Sequence, residues 1–92
     1  MIQSFCCKDT RALFEGTGCR RFRSIASVAE RKLSQLDAAL TPDFLRAPPG
    51  NRLEMLKGMR YGQYSIRIND QWRICFRWSE SGPPDVEITD YH

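Results

Sequence analysis

Between residues 61 and 78 the sequence YGQYSIRINDQWRICFRW alternates so regularly that a two-stranded hairpin is the natural outcome. Tyr64, Ile66 and Ile68 fall on one side of a first strand, and Trp72, Ile74, Phe76 and Trp78 share a side of a second. The opposite side carries Gln63, Ser65 and Arg67, then Arg73, Cys75 and Arg77. A slip of one residue would exchange the two faces, so the pattern itself sets the register. A two-residue loop at Asn69-Asp70 would place Arg67 against Trp72 and mix the faces. A three-residue loop, Asn69-Asp70-Gln71, pairs Ile68 with Trp72, Ile66 with Ile74 and Tyr64 with Phe76. That register also sets Arg67 directly across from Arg73. Opposed like charges destabilise a sheet, so two guanidinium groups left uncompensated by the chain predict an anionic ligand at this place.

With 92 residues the chain is read as one domain, 1–92, with a single core. No apolar run approaches a membrane span and no secretory signal opens the sequence, so a cytoplasmic address and no membrane contact are expected. Cys6, Cys7, Cys19 and Cys75 match no zinc spacing beside a lone histidine, and they read as structural or incidental thiols. No metal and no cofactor is expected. The net charge of +3 conceals an uneven distribution. Residues 46–78 hold seven Lys and Arg against Glu54 and Asp70, a net of +5. A basic middle interleaved with aromatics suits a polyanion. The plainer reading is that these cations solvate a sheet face.

Residues 1–5 read as a first strand, and Asp9 as the cap of a short helix ending at Phe14, before Gly16 and Gly18. Ile25, Val28, Ala29, Leu33, Leu36 and Leu40 recur at helical spacing, which predicts a helix over 24–40, with Ser27 and Glu30 as a capping box. Thr41-Pro42 ends it. Pro48 to Asn51 reads as a loop and 52–57 as a strand, with Leu53 and Met55 on one side and Glu54 and Leu56 on the other. A last strand over 85–91 has Val86 and Ile88 inward and, if it pairs with 72–78, brings out Asp85, Glu87 and Thr89 beside the group Arg73, Cys75 and Arg77. Glu87 there can neutralise Arg73 or Arg77. The predicted order is β-α-α-β-β-β-β, an α+β fold with two helices on one face of a mainly antiparallel sheet and the basic face open.

His92 is the only histidine, in the closing triplet Asp90-Tyr91-His92. Imidazole titrates nearest working pH and is the natural proton carrier. The last strand can bring Tyr91 and His92 to the edge of the arginine face, and Lys57 can project towards the same region. Arginines for a phosphate, an imidazole for a proton and a phenol to stack on a base are the parts of a metal-free ribonuclease. Asp90 suits an orienting or charge-balancing role.

These residues resemble the HigB toxins of the RelE/ParE superfamily, the toxin halves of type II toxin–antitoxin pairs. The resemblance rests on Pro49-Gly50-Asn51-Arg52-Leu53-Glu54, Leu56-Lys57-Gly58, the run from Gly62 to Phe76, and Val86-Glu87-Ile88 through Asp90-Tyr91-His92, with Arg31-Lys32-Leu33 agreeing in the helical half. It implies a RelE-like fold and a metal-independent endoribonuclease that cuts messenger RNA in the ribosomal A site, against 16S rRNA. By the same resemblance Arg73 stabilises the phosphorane-like transition state, Arg67 and Lys57 position the backbone, Tyr91 stacks on or orients the nucleotide, and His92 transfers protons. Some members carry a second histidine where this chain has Glu54. If Glu54 faces the site it can serve as base with His92 as acid; if it faces away it is a surface acid. The resemblance further implies a HigA-type helix-turn-helix antitoxin, with operator DNA bound only by the toxin–antitoxin complex. Arg20, Arg21 and Arg23 offer a contact for either the antitoxin or ribosomal RNA. Two other readings stand beside this one: a non-catalytic RNA- or protein-binding member of the fold, and a gyrase-poisoning ParE-like toxin, against which the Asp90-Tyr91-His92 ending argues.

Overall fold

Four strands, β1 (Glu54–Met55), β2 (Tyr64–Arg67), β3 (Trp72–Phe76) and β4 (Glu87–Asp90), pair antiparallel in chain order, in a computed structural model that describes residues 1–90. The central register is the one the alternation predicts. Tyr64 faces Phe76, Ile66 faces Ile74 and Arg67 faces Arg73, and the Ile68 N–H donates to the Trp72 carbonyl at 2.9 Å. Asn69 closes the loop with its own side chain, whose Oδ1 accepts the N–H groups of Gln71 and Trp72 at 2.8 Å each. An asparagine at the first loop position favours this local turn and fixes the odd loop length.

One face of the sheet is the core. Ile66, Ile74, Phe76 and Ile88 are buried there with Ala29, Leu33 and Leu36 of α2 (Ala26–Ala38) and Leu13 of α1 (Lys8–Phe14). Phe22 enters the same cluster from the 3₁₀ turn Arg20–Ile25, edge-on to Trp72 with ring centres 5.4 Å apart. Stacking a helical stripe of small and branched residues on a pleated apolar face is what the two periodicities call for. Among the described residues no helix is long and apolar enough to cross a membrane.

Several boundaries differ from the sequence reading. The expected first strand is a single parallel bridge between Phe5 and Val86. Its would-be partner contains Pro83 and Pro84, which have no N–H to give, and Asp85 in a left-handed conformation (φ 58°). Consequently β4 begins at Glu87, and the Asp85 N–H turns to the Ser4 hydroxyl at 2.9 Å. Asp9 lies inside α1 rather than capping it, since Cys7 is the N-cap residue. Helix α2 starts at Ala26, after Phe22 leaves helical backbone (φ −107°, ψ 15°) to bury its ring, so Ser27 is too far inside to form a capping box. Leu40, expected in the apolar stripe, lies past the helix end and is exposed. The strand predicted over 52–57 shrinks to β1 because Arg52 adopts left-handed backbone (φ 46°).

Replacing Asn69 by Ala removes the one acceptor of both loop hydrogen bonds, and an Asn69→Ala variant is expected to lose about 1–2 kcal/mol. Urea denaturation measures this, with the midpoint falling and the slope unchanged.

Candidate nucleic-acid interface

The face away from the core is built in rows. Strand pairing puts Glu54, Ser65, Cys75 and Glu87 in one row across all four strands. Arg67, Arg73 and Thr89 form the next. Glu87 and Thr89 do emerge on this face as expected, and the register sets Glu87 opposite Cys75 and Thr89 opposite Arg73.

Arg73 is the best-anchored charge of this face. Its Nε–H donates to the Ser65 hydroxyl at 2.8 Å, and Nη2 donates to the Arg52 carbonyl at 2.7 Å. The Glu54 carboxylate stands 3.9 Å from the same Nη2. Arg73 retains only 8% of its surface in water. A cation so withdrawn needs acceptors on every accessible edge, and the left-handed turn at Arg52 supplies one by exposing its carbonyl. Arg67 is held differently, its Nη2 bonded to Asp70, whose side chain is 99% exposed.

The uncompensated arginine pair expected from the sequence is therefore corrected. The two Cα positions are opposed as predicted, but the long side chains diverge. Arg67 turns to the hairpin loop, while Arg73 turns towards β1, and each meets an acid. The expected open face is also partly covered. Ser65, Arg73 and Cys75 are buried, and so is Leu56, which with Cys75 lies outside the core cluster. From the turn Gly58–Arg60, Arg60 Nη1 reaches the carboxylate of Glu87 at 3.4 Å and the side-chain carbonyl of Gln63 at 3.1 Å. Thus Glu87 neutralises Arg60, not Arg73 or Arg77. Burial pushes the Cys75 thiol pKa up, against the Arg60 guanidinium nearby. Burial, then Asp85 and Glu87, raise that of Cys6.

The other candidates divide. Glu54 faces the arginine side, opposite Ser65 and within reach of Arg73, which settles the orientation left open by the sequence. Lys57 is exposed and makes no ion pair among the described residues. Arg77 sits four residues along β3's direction from Arg73, roughly 13 Å at strand rise, with Nε 3.8 Å from Asp85. It passes so close to Gly62 (φ 91°) that a side-chain Cβ there would lie 2.8 Å from its Nη1. Asp90 pairs across from Trp72, so strand alternation directs it to the helix side, where it accepts a 3.1 Å hydrogen bond from Gln71. It does not share the arginine face. Tyr91 and His92 lie outside the described residues. Arg21 packs over Phe22 and Trp72 (5.1 and 5.7 Å) and stands 3.8 Å from Asp9, while Arg20 and Arg23 are exposed.

Sequence reasoning passed over Ser65, the Arg52 carbonyl and Arg60. Ser65 had a signal, since the predicted register places it diagonally next to Arg73. The Arg52 carbonyl had none, because a left-handed arginine is not a composition feature. A cleft of about 490 Å³ lies elsewhere, between the turn Pro42–Arg46 and β1, lined by Asp43, Arg46, Leu53, Met55 and Tyr64 among others. None of the candidate residues lines it.

This α+β arrangement is that of a RelE-like toxin domain. A family model described as the RelE-like toxin of the type II toxin–antitoxin system HigB matches residues 5–92, and the chain belongs to that HigB-like toxin family. Among curated proteins it is similar to Toxin HigB-1 of Vibrio cholerae, 51% identical over 55 residues. That match covers 60% of this chain and 58% of the Vibrio protein. An uncharacterised protein of Haemophilus influenzae is 34% identical over 58 residues, 63% of this chain and 57% of its own. The aligned part thus spans a little over half the length of each of these relatives.

The two arginines should respond unequally to truncation. Arg73→Ala strands the Ser65 hydroxyl and the Arg52 carbonyl and is expected to cost about 1–3 kcal/mol. Arg67→Ala should stay within about 0.5 kcal/mol. Parallel urea titrations decide it, and equal effects would remove the distinction.

Proposed function

We propose that this protein is a metal-independent endoribonuclease that cuts translated messenger RNA in the ribosomal A site, acts in the cytoplasm and is neutralised by a HigA-type helix-turn-helix antitoxin. Operator DNA is then a ligand of the toxin–antitoxin complex only. The observation that carries this reading is the juxtaposition of Arg67, Arg73 and Glu54 on one sheet face, in a chain of the HigB-like toxin family. The exposed Arg67–Asp70 pair costs little to exchange, so an RNA phosphate can replace Asp70 and approach the outer edge of Arg73.

In the proposed reaction the ribose 2′-oxygen loses its proton to a base and bonds to phosphorus. The 5′-oxygen leaves and takes a proton from an acid, which yields a 2′,3′-cyclic phosphate and a 5′-hydroxyl. Arg73 stabilises the charge growing on the non-bridging oxygens. Lys57 and Arg67 hold the backbone, Tyr91 orients the nucleotide and His92 carries the leaving-group proton. Glu54 fits the role of base, since it lies on the same side as Arg73. Asp90, on the helix side, fits an orienting role, and Arg77 a peripheral phosphate contact.

A second reading has one observation in its favour: Arg60, Arg67, Arg73 and Arg77 each have an acid within 4 Å. Such a face suits a non-catalytic binding protein that docks RNA or a partner. Primer extension on a message after induction separates the two. The nuclease should produce discrete ends within codons, and removing His92 should lower cleavage about 10²-fold or more. Arrested growth without cut messages, or cutting that survives loss of His92, contradicts the nuclease.

A further inference from the structure

Asn51 is wholly buried and its side chain is fully engaged. Its Nδ2 donates to the side-chain oxygen of Gln35 at 3.1 Å and to the carbonyls of Leu45 and Ala47 at 3.1 and 3.3 Å, while Lys32 Nζ donates to its Oδ1. Lys32 and Gln35 are three apart on α2, hence on one side of it. The next residue, Arg52, sits in left-handed backbone (φ 46°, ψ 57°). That conformation costs a non-glycine residue on the order of 1 kcal/mol, and it persists only where neighbours dictate it. It is also the conformation that presents the Arg52 carbonyl to Arg73 Nη2 at 2.7 Å.

We infer that Asn51, gripped by Lys32 and Gln35 of α2, is a positioning residue for Arg73. It pins the chain on one side of Arg52, β1 pins it on the other, and the carbonyl between them aims the guanidinium. Helix and sheet face are thereby linked through one buried amide, although no candidate site residue lies on α2. Lys32 is close enough to that face for Arg67, after burial and Arg31, to lower its ammonium pKa. The effect on cleavage rests on the proposed role of Arg73; the effect on its geometry does not.

Nitrogen-edited NMR of the guanidinium Nε–H groups, assigned with Arg73→Lys, reads that geometry in the free toxin. In Asn51→Ala, shown folded by circular dichroism, the Arg73 signal should shift and exchange with water about tenfold faster as its anchorage loosens. Lys32→Met should move it in the same direction and Lys32→Arg, which keeps a donor, should return it. Single-turnover cleavage at saturating ribosomes should fall about tenfold in Asn51→Ala through misplacement of Arg73, with ribosome affinity and its salt dependence unchanged. A purely electrostatic Lys32 contact to RNA would instead change affinity and salt slope, and would overturn the inference. So would an unchanged Arg73 signal in folded Asn51→Ala or, should that variant not fold, in Lys32→Met. If the signal moves but the wild type cuts no message, the positioning role stands and the nuclease reading falls.

Discussion

A guanidinium that has left water almost entirely must find acceptors in the protein, and the position of Arg73 follows from that requirement. Ser65 meets it from the adjacent strand and Arg52 from the turn before β1. Both contacts depend on the hairpin register, because moving β3 by one residue would carry Arg73 into the core side. They depend equally on a left-handed arginine that would ordinarily be avoided. Apolar pairing thus places the cation on its face, and buried polar contacts then choose its direction. Satisfied networks of this kind are rigid, whereas a half-satisfied one would be costly.

Neighbouring charges obey a different economy. Arg67, Arg60 and Arg77 meet their acids in partly or wholly exposed positions, where ion pairs contribute little. Such acids relieve repulsion in the free protein without committing the arginines. A polyanion that displaces them gains from counterion release, which a single carboxylate cannot match. Paired arginines and an anion-binding face are therefore compatible, and the pair of Arg67 with the almost fully exposed Asp70 is the natural point of entry.

Much of this was legible in the residues. Strict alternation through 64–76 allowed one register, and the three-residue loop followed from it. The stripe Ala29, Leu33 and Leu36 located the core face of α2. Alternation also sorted Arg67 and Arg73 onto one side, whereas the side taken by Glu54 came only from its pairing with Ser65. What it could not fix is where a long side chain goes after leaving its Cα, so the divergence of Arg67 from Arg73 was missed. It equally could not give the left-handed turns at Arg52 and Asp85, which depend on distant partners such as Asn51's helix contacts and Ser4. Those turns shortened both outer strands. Asp90 stands near the strand end as expected, and its parity sets it with Trp72 on the helix side.

The central claim is that nucleic acid binds the Arg67–Arg73 side of the sheet. Titrating the isotopically labelled toxin with a short RNA carrying 2′-O-methyl groups, which binds but cannot be cut, tests it directly by NMR. The predicted result is that the Arg67 and Arg73 guanidinium signals and the Lys57 ammonium signal move together, at midpoints that rise steeply with salt. Shifts confined to the helix side, or binding indifferent to salt, would contradict it.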